Sequence, residues 1–104
     1  MHHISKVVVI TERILLERVA EVIERAGATG YTYVAAGGRG ARGKRTASSR
    51  AQVSGLDANV KIEVLVADRA RAEAICDAVA AEFFDDYSGI TYLEPVEILR
   101  PSKF

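Results

Sequence analysis

The feature that most constrains the fold is the stretch from Gly37 to Leu56, which divides the chain into two segments of similar pattern. This stretch contains five glycines and five basic residues, and it has no acidic side chain. Such a composition suits neither a helix nor a buried strand, so we predict a long loop. Connections of this length are uncommon in small domains and are often functional. The segments on either side must therefore supply the core.

The segment before the loop carries a strand, a helix and a second strand. The β-branched run from Val7 to Ile10 predicts a buried strand. From Ile14 onward apolar residues recur at helical spacing. We expect Thr11 to cap this helix and Gly27 to end it. The strand-forming residues from Tyr31 to Ala35 predict the second strand.

The segment after the loop repeats this order. Apolar residues alternate from Asn59 to Ala67 and predict a half-buried strand. Asp68 is placed to cap a helix that runs through Phe84. Two short strands are then predicted, at Ile90 to Leu93 and at Val96 to Leu99, separated by a proline.

Two strand–helix–strand halves predict one α+β domain with the ferredoxin-like split βαβ (βαββαβ) fold, a sandwich of one sheet and two helices. The 104 residues leave no length for a second domain, so we expect residues 1–104 to form a single unit. Both helices would cover the same face of the sheet. The other face receives Leu65 and aromatic or β-branched residues, and we expect copies of the chain to cover it.

Composition excludes several classes of function. The 14 basic and 14 acidic residues balance, so net charge gives no reason to expect nucleic-acid binding. The single cysteine, Cys76, rules out an internal disulfide and fits a cytoplasmic location. His2 and His3 lie at a terminus that we expect to fray, so no metal site is predicted. No nucleophile, base and orienting residue form a recognisable set, so no catalytic residue is predicted either.

The loop offers two literal phosphate-binding motifs and one broader signal. Gly38, Gly40 and Gly43 have the spacing of a dinucleotide fingerprint, and the stretch from Gly38 to Lys44 matches most of a P-loop. Both motifs require a helix directly afterwards, and the sequence gives no such signal. The basic residues of the loop are Arg39, Arg42, Lys44, Arg45 and Arg50. On a glycine-rich backbone they favour an anionic ligand. A solvated loop that binds nothing and an RNA contact are the alternatives.

Four motifs together resemble the PII signal-transduction superfamily, and the resemblance covers nearly the whole chain. They are Ala26-Gly27-Ala28-Thr29-Gly30-Tyr31-Thr32, Gly38-Arg39-Gly40, Asn59-Val60-Lys61-Ile62-Glu63-Val64 and the stretch from Pro95 to Arg100. A second set more narrowly resembles the PII-like proteins tied to bicarbonate uptake and carboxysomes: Val9-Ile10-Thr11-Glu12, Gly27-Ala28-Thr29-Gly30-Tyr31-Thr32, Gly37-Gly38-Arg39-Gly40 and Phe84-Asp85-Asp86-Tyr87-Ser88-Gly89-Ile90.

The resemblance implies a non-enzymatic homotrimer in which the long loop, about residues 37–58, is the signalling T-loop. It implies that adenine nucleotides bind in clefts between subunits: AMP or ADP first, with ATP and cAMP as further candidates. The positions that match nucleotide contacts of the family are Thr32, Gly38, Arg39, Gly40, Arg42, Arg45, Gly89 and Arg100. The positions available to bicarbonate are Arg42, Arg45, Thr46, Ser48 and Lys61.

Two departures from other PII proteins refine these expectations. No tyrosine lies between Tyr33 and Tyr87, so uridylylation of the T-loop is not expected. Asn59 stands where other members use a lysine with 2-oxoglutarate, which favours bicarbonate as the smaller anion. No cofactor is required, and the implied partner is a bicarbonate transporter or a carboxysome-related protein. The alternatives are a weak nucleotide hydrolase and an RNA-binding module that uses the arginine- and glycine-rich loop.

Overall fold

The computed structural model describes residues 1–38 and 59–104, so most of the predicted loop lies outside the described residues. The regular elements of the described part are β1 (His2–Glu12), α1 (Leu16–Arg25), β2 (Thr32–Ala36), β3 (Asn59–Val66), α2 (Arg69–Phe83) and β4 (Gly89–Ile98). Short 3-10 turns lie at Arg13–Leu15 and Pro101–Lys103. The strands form one antiparallel sheet in the order β2-β3-β1-β4, which confirms the predicted ferredoxin-like fold.

Strand β1 lies at the centre of this sheet and carries the core. Val7 pairs with Val64 of β3 on one side and with Leu93 of β4 on the other. Because side chains alternate along a strand, one face of the sheet receives a continuous apolar layer. Both helices pack on that face. The buried core comprises Val7, Val9, Leu15, Leu16, Val19, Val22, Ile23, Val60, Ile62, Val64, Val66, Ala72, Ile75, Val79 and Phe83.

Two predicted helix boundaries are confirmed. Gly27 has a φ of 94°, and the backbone N–H groups of Gly27 and of the next residue donate to carbonyls of the last helical turn at 3.0 and 3.3 Å. This pair of hydrogen bonds closes α1 in a geometry that favours glycine. At the start of α2, the Asp68 carboxylate accepts a hydrogen bond from the Arg71 N–H at 2.6 Å.

The predicted start of the first helix is wrong. Thr11 belongs to β1, which continues to Glu12, and α1 begins at Leu16 without a side-chain cap. The Thr11 hydroxyl instead donates to the Ser88 carbonyl at 2.7 Å. Pairing of β1 with strands distant in sequence therefore decides the conformation of this threonine, and local capping propensity does not.

The ends of the sheet correct two further expectations. The two predicted C-terminal strands are one continuous strand, β4, which runs through Pro95. A proline fits there because β4 is an edge strand, where a residue can do without a hydrogen bond on the solvent side. The backbone at His2 and His3 does not fray, because both residues pair with β4.

The second face of the sheet, which we call the open face, is not covered by the helices. The register with β1 places Leu65 on it beside Lys6, in agreement with the prediction. Among its large apolar side chains, Val34, Ile90 and Tyr92 are exposed by 59%, 55% and 36%. This face therefore combines apolar side chains with charged ones.

The start of β4 leaves no room for a side chain at Gly89. A Cβ atom there would lie 2.3 Å from the Phe84 ring, which itself packs against the core. We expect Gly89→Ala to displace this ring and to lower the free energy of unfolding by about 1–3 kcal/mol. Denaturant titration would measure the loss.

Gly37→Ala is the matched control, because a Cβ atom at Gly37 would have no atom of the described residues within 4 Å beyond its chain neighbours. Equal stability of the two variants would contradict the close packing of Phe84 on Gly89.

Candidate functional site

A cavity of about 440 Å³ lies at one end of the sheet, between the start of β2, the end of β3 and the C-terminal residues. Its lining residues are Thr29, Gly30, Tyr31, Thr32, Glu63, Leu65, Lys103 and Phe104. Thr32, which the resemblance assigned to the nucleotide contacts, is among them. The volume lies within the range of small-molecule sites, and the lining joins apolar surface to a few polar groups.

The C-terminal residues form one wall of this cavity because hydrogen bonds to their backbone hold them there. The Thr29 hydroxyl donates to the Lys103 carbonyl at 2.9 Å. The Ala67 N–H donates to the Phe104 carbonyl oxygen at 3.2 Å. The chain thus returns from β4 across the sheet to the end of β3, and it brings Phe104 against the cavity.

Charged side chains connect the cavity to the middle of the open face. The Glu63 carboxylate lies 3.6 Å from Lys6 Nζ and 3.6 Å from Lys61 Nζ. Lys6 Nζ also lies 3.2 Å from the Glu94 carboxylate on β4. The hydrogen bond with Glu94, reinforced by the charges of both carboxylates, raises the pKa of Lys6, although burial opposes the shift. Lys61, predicted as an anion contact, is paired here with Glu63.

The opposite end of the sheet holds the turn that precedes β4. Ser88 is fixed by the last two residues of β1: the Thr11 hydroxyl donates to its carbonyl at 2.7 Å, and its N–H donates to Oε2 of Glu12 at 2.9 Å. Glu12 is only 2% exposed, and its Oε1 has no hydrogen-bond partner among residues 1–38 and 59–104. These bonds hold the backbone that leads into Gly89.

The predicted nucleotide contacts fall at both ends of the sheet. Gly89 pairs with Thr11, and Gly38 follows the end of β2, so both lie at the end near Ser88. Arg100 follows the far end of β4, close to the start of β1. The two ends of β4 are about 30 Å apart at the usual rise per residue. One copy therefore cannot place Gly89 and Arg100 against a single mononucleotide.

The other predicted contacts lie outside the described residues. They are Arg39, Gly40, Arg42, Arg45, Thr46 and Ser48. Within the described ranges, no three His, Cys, Asp or Glu side chains are grouped to hold a metal ion. No helix of that same part of the chain is long and apolar enough to cross a membrane.

Sequence comparison identifies the family. Residues 4–103 match the model of the nitrogen regulatory protein P-II family, so the chain belongs to this family of regulatory proteins. A PII-like signaling protein from Thermus thermophilus has a similar structure, with 31% sequence identity and a TM-score of 0.79. The alignment covers 99% of this chain and 96% of the Thermus chain.

CPII from Thiomonas intermedia K12, a PII-like protein, has the same fold. Its structure with ADP, AMP and acetate has 23% identity to this chain and a TM-score of 0.77, over 99% of this chain and 95% of CPII. Its structure with ADP and bicarbonate has 23% identity and a TM-score of 0.76, over the same 99% and 95%. At this identity the likeness establishes the fold of this chain.

The hydroxyl of Thr11 provides a direct test of how Ser88 is held. Thr11→Val keeps the side-chain shape and leaves the Ser88 carbonyl without its donor. Because Thr11 is buried, we expect the free energy of unfolding to fall by about 1–2 kcal/mol.

Thr29→Val removes an exposed hydroxyl bond of similar length, for which water can substitute, so it is the matched control. If Thr29→Val lowers the free energy of unfolding as much as Thr11→Val does, the buried bond to Ser88 stabilises the fold no more than an exposed bond. Thermal or denaturant unfolding distinguishes the two results.

Proposed function

We propose that this protein is a non-enzymatic sensor that binds AMP or ADP in a cleft between two copies of the chain and signals through its T-loop, residues 37–58. The observation that carries the proposal is the distribution of the predicted contacts over opposite ends of the sheet. Gly89 and Arg100 lie at opposite ends of β4, so one small ligand can contact both only where two copies meet. The described cavity then forms half of the binding site.

The cavity chemistry supports a nucleotide. Tyr31, Leu65 and Phe104 provide apolar surface for a base, while the Thr32 hydroxyl and the Glu63 carboxylate provide hydrogen-bonding groups. The arginines of the T-loop are suited to phosphate, because a guanidinium binds its oxygens in a bidentate fashion.

The open face supports assembly. A sheet face with exposed Val34, Ile90 and Tyr92 gains stability when a second copy covers it. We propose closure as a trimer in which the cavity of one copy faces the Gly89 end of the next. A light-scattering mass equal to one 11.3 kDa chain at micromolar concentration would contradict this assembly.

Bicarbonate is proposed as the second ligand, beside the nucleotide. It is planar, carries one charge, and both donates and accepts hydrogen bonds, so Arg42, Arg45 and the hydroxyls of Thr46 and Ser48 are suitable partners. A CPII structure contains ADP and bicarbonate together, which supports the pairing for this chain as well. A transporter or carboxysome-related protein is then the proposed receiver of the T-loop signal, and the proposed location is the cytoplasm.

Calorimetry tests which ligands the protein binds and whether one changes the affinity for another. We expect AMP or ADP to bind, and bicarbonate to tighten that binding by the same factor by which the nucleotide tightens bicarbonate binding. ATP, cAMP, chloride and 2-oxoglutarate are the comparison ligands, at constant pH and ionic strength. Absence of nucleotide binding would overturn the proposed function. A larger effect from 2-oxoglutarate than from bicarbonate would overturn the choice of anion.

Arg45 tests the phosphate contact. Arg45→Ala should weaken AMP binding by about 1.5–3 kcal/mol, the scale of a hydrogen bond to a charged group, and Arg45→Lys should recover part of the loss. Arg69→Ala is the control, because Arg69 is an exposed arginine that pairs with Glu73 on α2. Equal AMP affinity in the wild type and in Arg45→Ala would remove this residue from the site.

A further inference from the structure

Glu63 is the acidic residue of the cavity lining, and the side chains that hold its carboxylate lie outside the cavity. Lys6 comes from β1 and Lys61 from two positions earlier on β3. Neither lysine lines the cavity. The carboxylate that a ligand would meet in the cavity is therefore paired with cations from the middle of the sheet.

The geometry at Glu63 assigns different roles to its two oxygens. The Nζ atoms of Lys6 and Lys61 both lie 3.6 Å from the same oxygen, Oε2. Within the part of the chain that the structure describes, Oε1 has no ion-pair partner. An ionised carboxylate accepts several hydrogen bonds, so Oε1 remains available to an N–H or O–H donor.

Lys6 is held in place more firmly than a lone surface lysine would be. Its side chain is only 22% exposed, and Nζ lies between carboxylates from the strands on both sides of β1, at 3.2 Å from Glu94 and 3.6 Å from Glu63. Isolated surface ion pairs contribute little, but networks of several charges order their members more strongly. A lysine is ordinarily charged at neutral pH, and the raised pKa of Lys6 acts in the same direction.

We propose that Lys6 is a positioning residue for ligand recognition. It fixes the Glu63 carboxylate so that this group accepts a hydrogen bond from an amino or hydroxyl group of the ligand in the cavity. Lys6 does not touch the ligand. This inference rests on the proposed function, because it takes a nucleotide as the occupant of the cavity.

A double-mutant cycle with AMP as the probe tests whether Lys6 acts through Glu63. Lys6→Met keeps the aliphatic stem and removes the charge, and we expect it to raise the Kd for AMP about 3- to 10-fold. In the Glu63→Gln background the same change should have no further effect, since the group that Lys6 positions has already been altered. Lys6→Arg should restore affinity to within about twofold of the wild type.

Arg69→Met is the matched control. It also removes a cation from an ion pair, with 2.9 Å between Arg69 Nε and Glu73, but on the exposed surface of α2. Its AMP affinity should equal that of the wild type. Light scattering checks the assembly of each variant, and thermal unfolding checks its folding. If Lys6→Met does not fold, Lys6→Gln replaces it.

The outcomes separate this inference from the proposed function. A wild type that fails to bind AMP overturns both. A wild type that binds AMP while Lys6→Met binds it equally well overturns the role of Lys6 alone. A full-sized effect of Lys6→Met in the Glu63→Gln background would also overturn it, because Lys6 would then act on folding or assembly and not through the carboxylate.

Discussion

The rest of the structure depends on the hydrogen bonding of β1 along both of its edges. This one strand joins β3 and β4, which are distant in sequence, and its alternating side chains serve both faces of the sheet. Val7 and Val9 anchor the helices on one face, and Lys6 connects carboxylates on the other. At its end, Thr11 and Glu12 hold the turn before β4. A change of register by one residue would move each of these side chains to the opposite face of the sheet.

A second consequence follows from the length of the strands. A sheet that is long in one direction separates the Gly89 end from the end that carries the cavity and Arg100. Residues so far apart can serve one small ligand only when copies of the chain meet. The proposed assembly and the proposed ligand site are thus linked: the open face, which we propose is covered by other copies, is also the face on which Glu63 meets Lys6.

The fold could be predicted from the sequence because apolar periodicity and helix caps are local signals. Gly27 and Asp68 behave as their types predict. Thr11 and Pro95 do not, because partners on other strands decide their conformation. Prediction of the candidate site from the sequence is limited in the same way, because contacts distant in sequence build part of it. The family resemblance named Thr32, which lines the cavity, as a nucleotide contact. It did not name Phe104, which reaches the cavity only because the chain folds back across the sheet, and no local pattern reveals that fold-back.

A mixing experiment tests most directly whether the site is built from two copies. Arg45→Ala and Arg100→Ala variants are prepared separately, then unfolded, mixed in equal amounts and refolded together. If each nucleotide contacts Arg45 of one copy and Arg100 of another, about a quarter of the sites regain both arginines by random assembly, and AMP binding at wild-type affinity returns to that fraction. If the mixture binds no better than the two separate variants, the site lies within one chain and the two-copy arrangement is wrong.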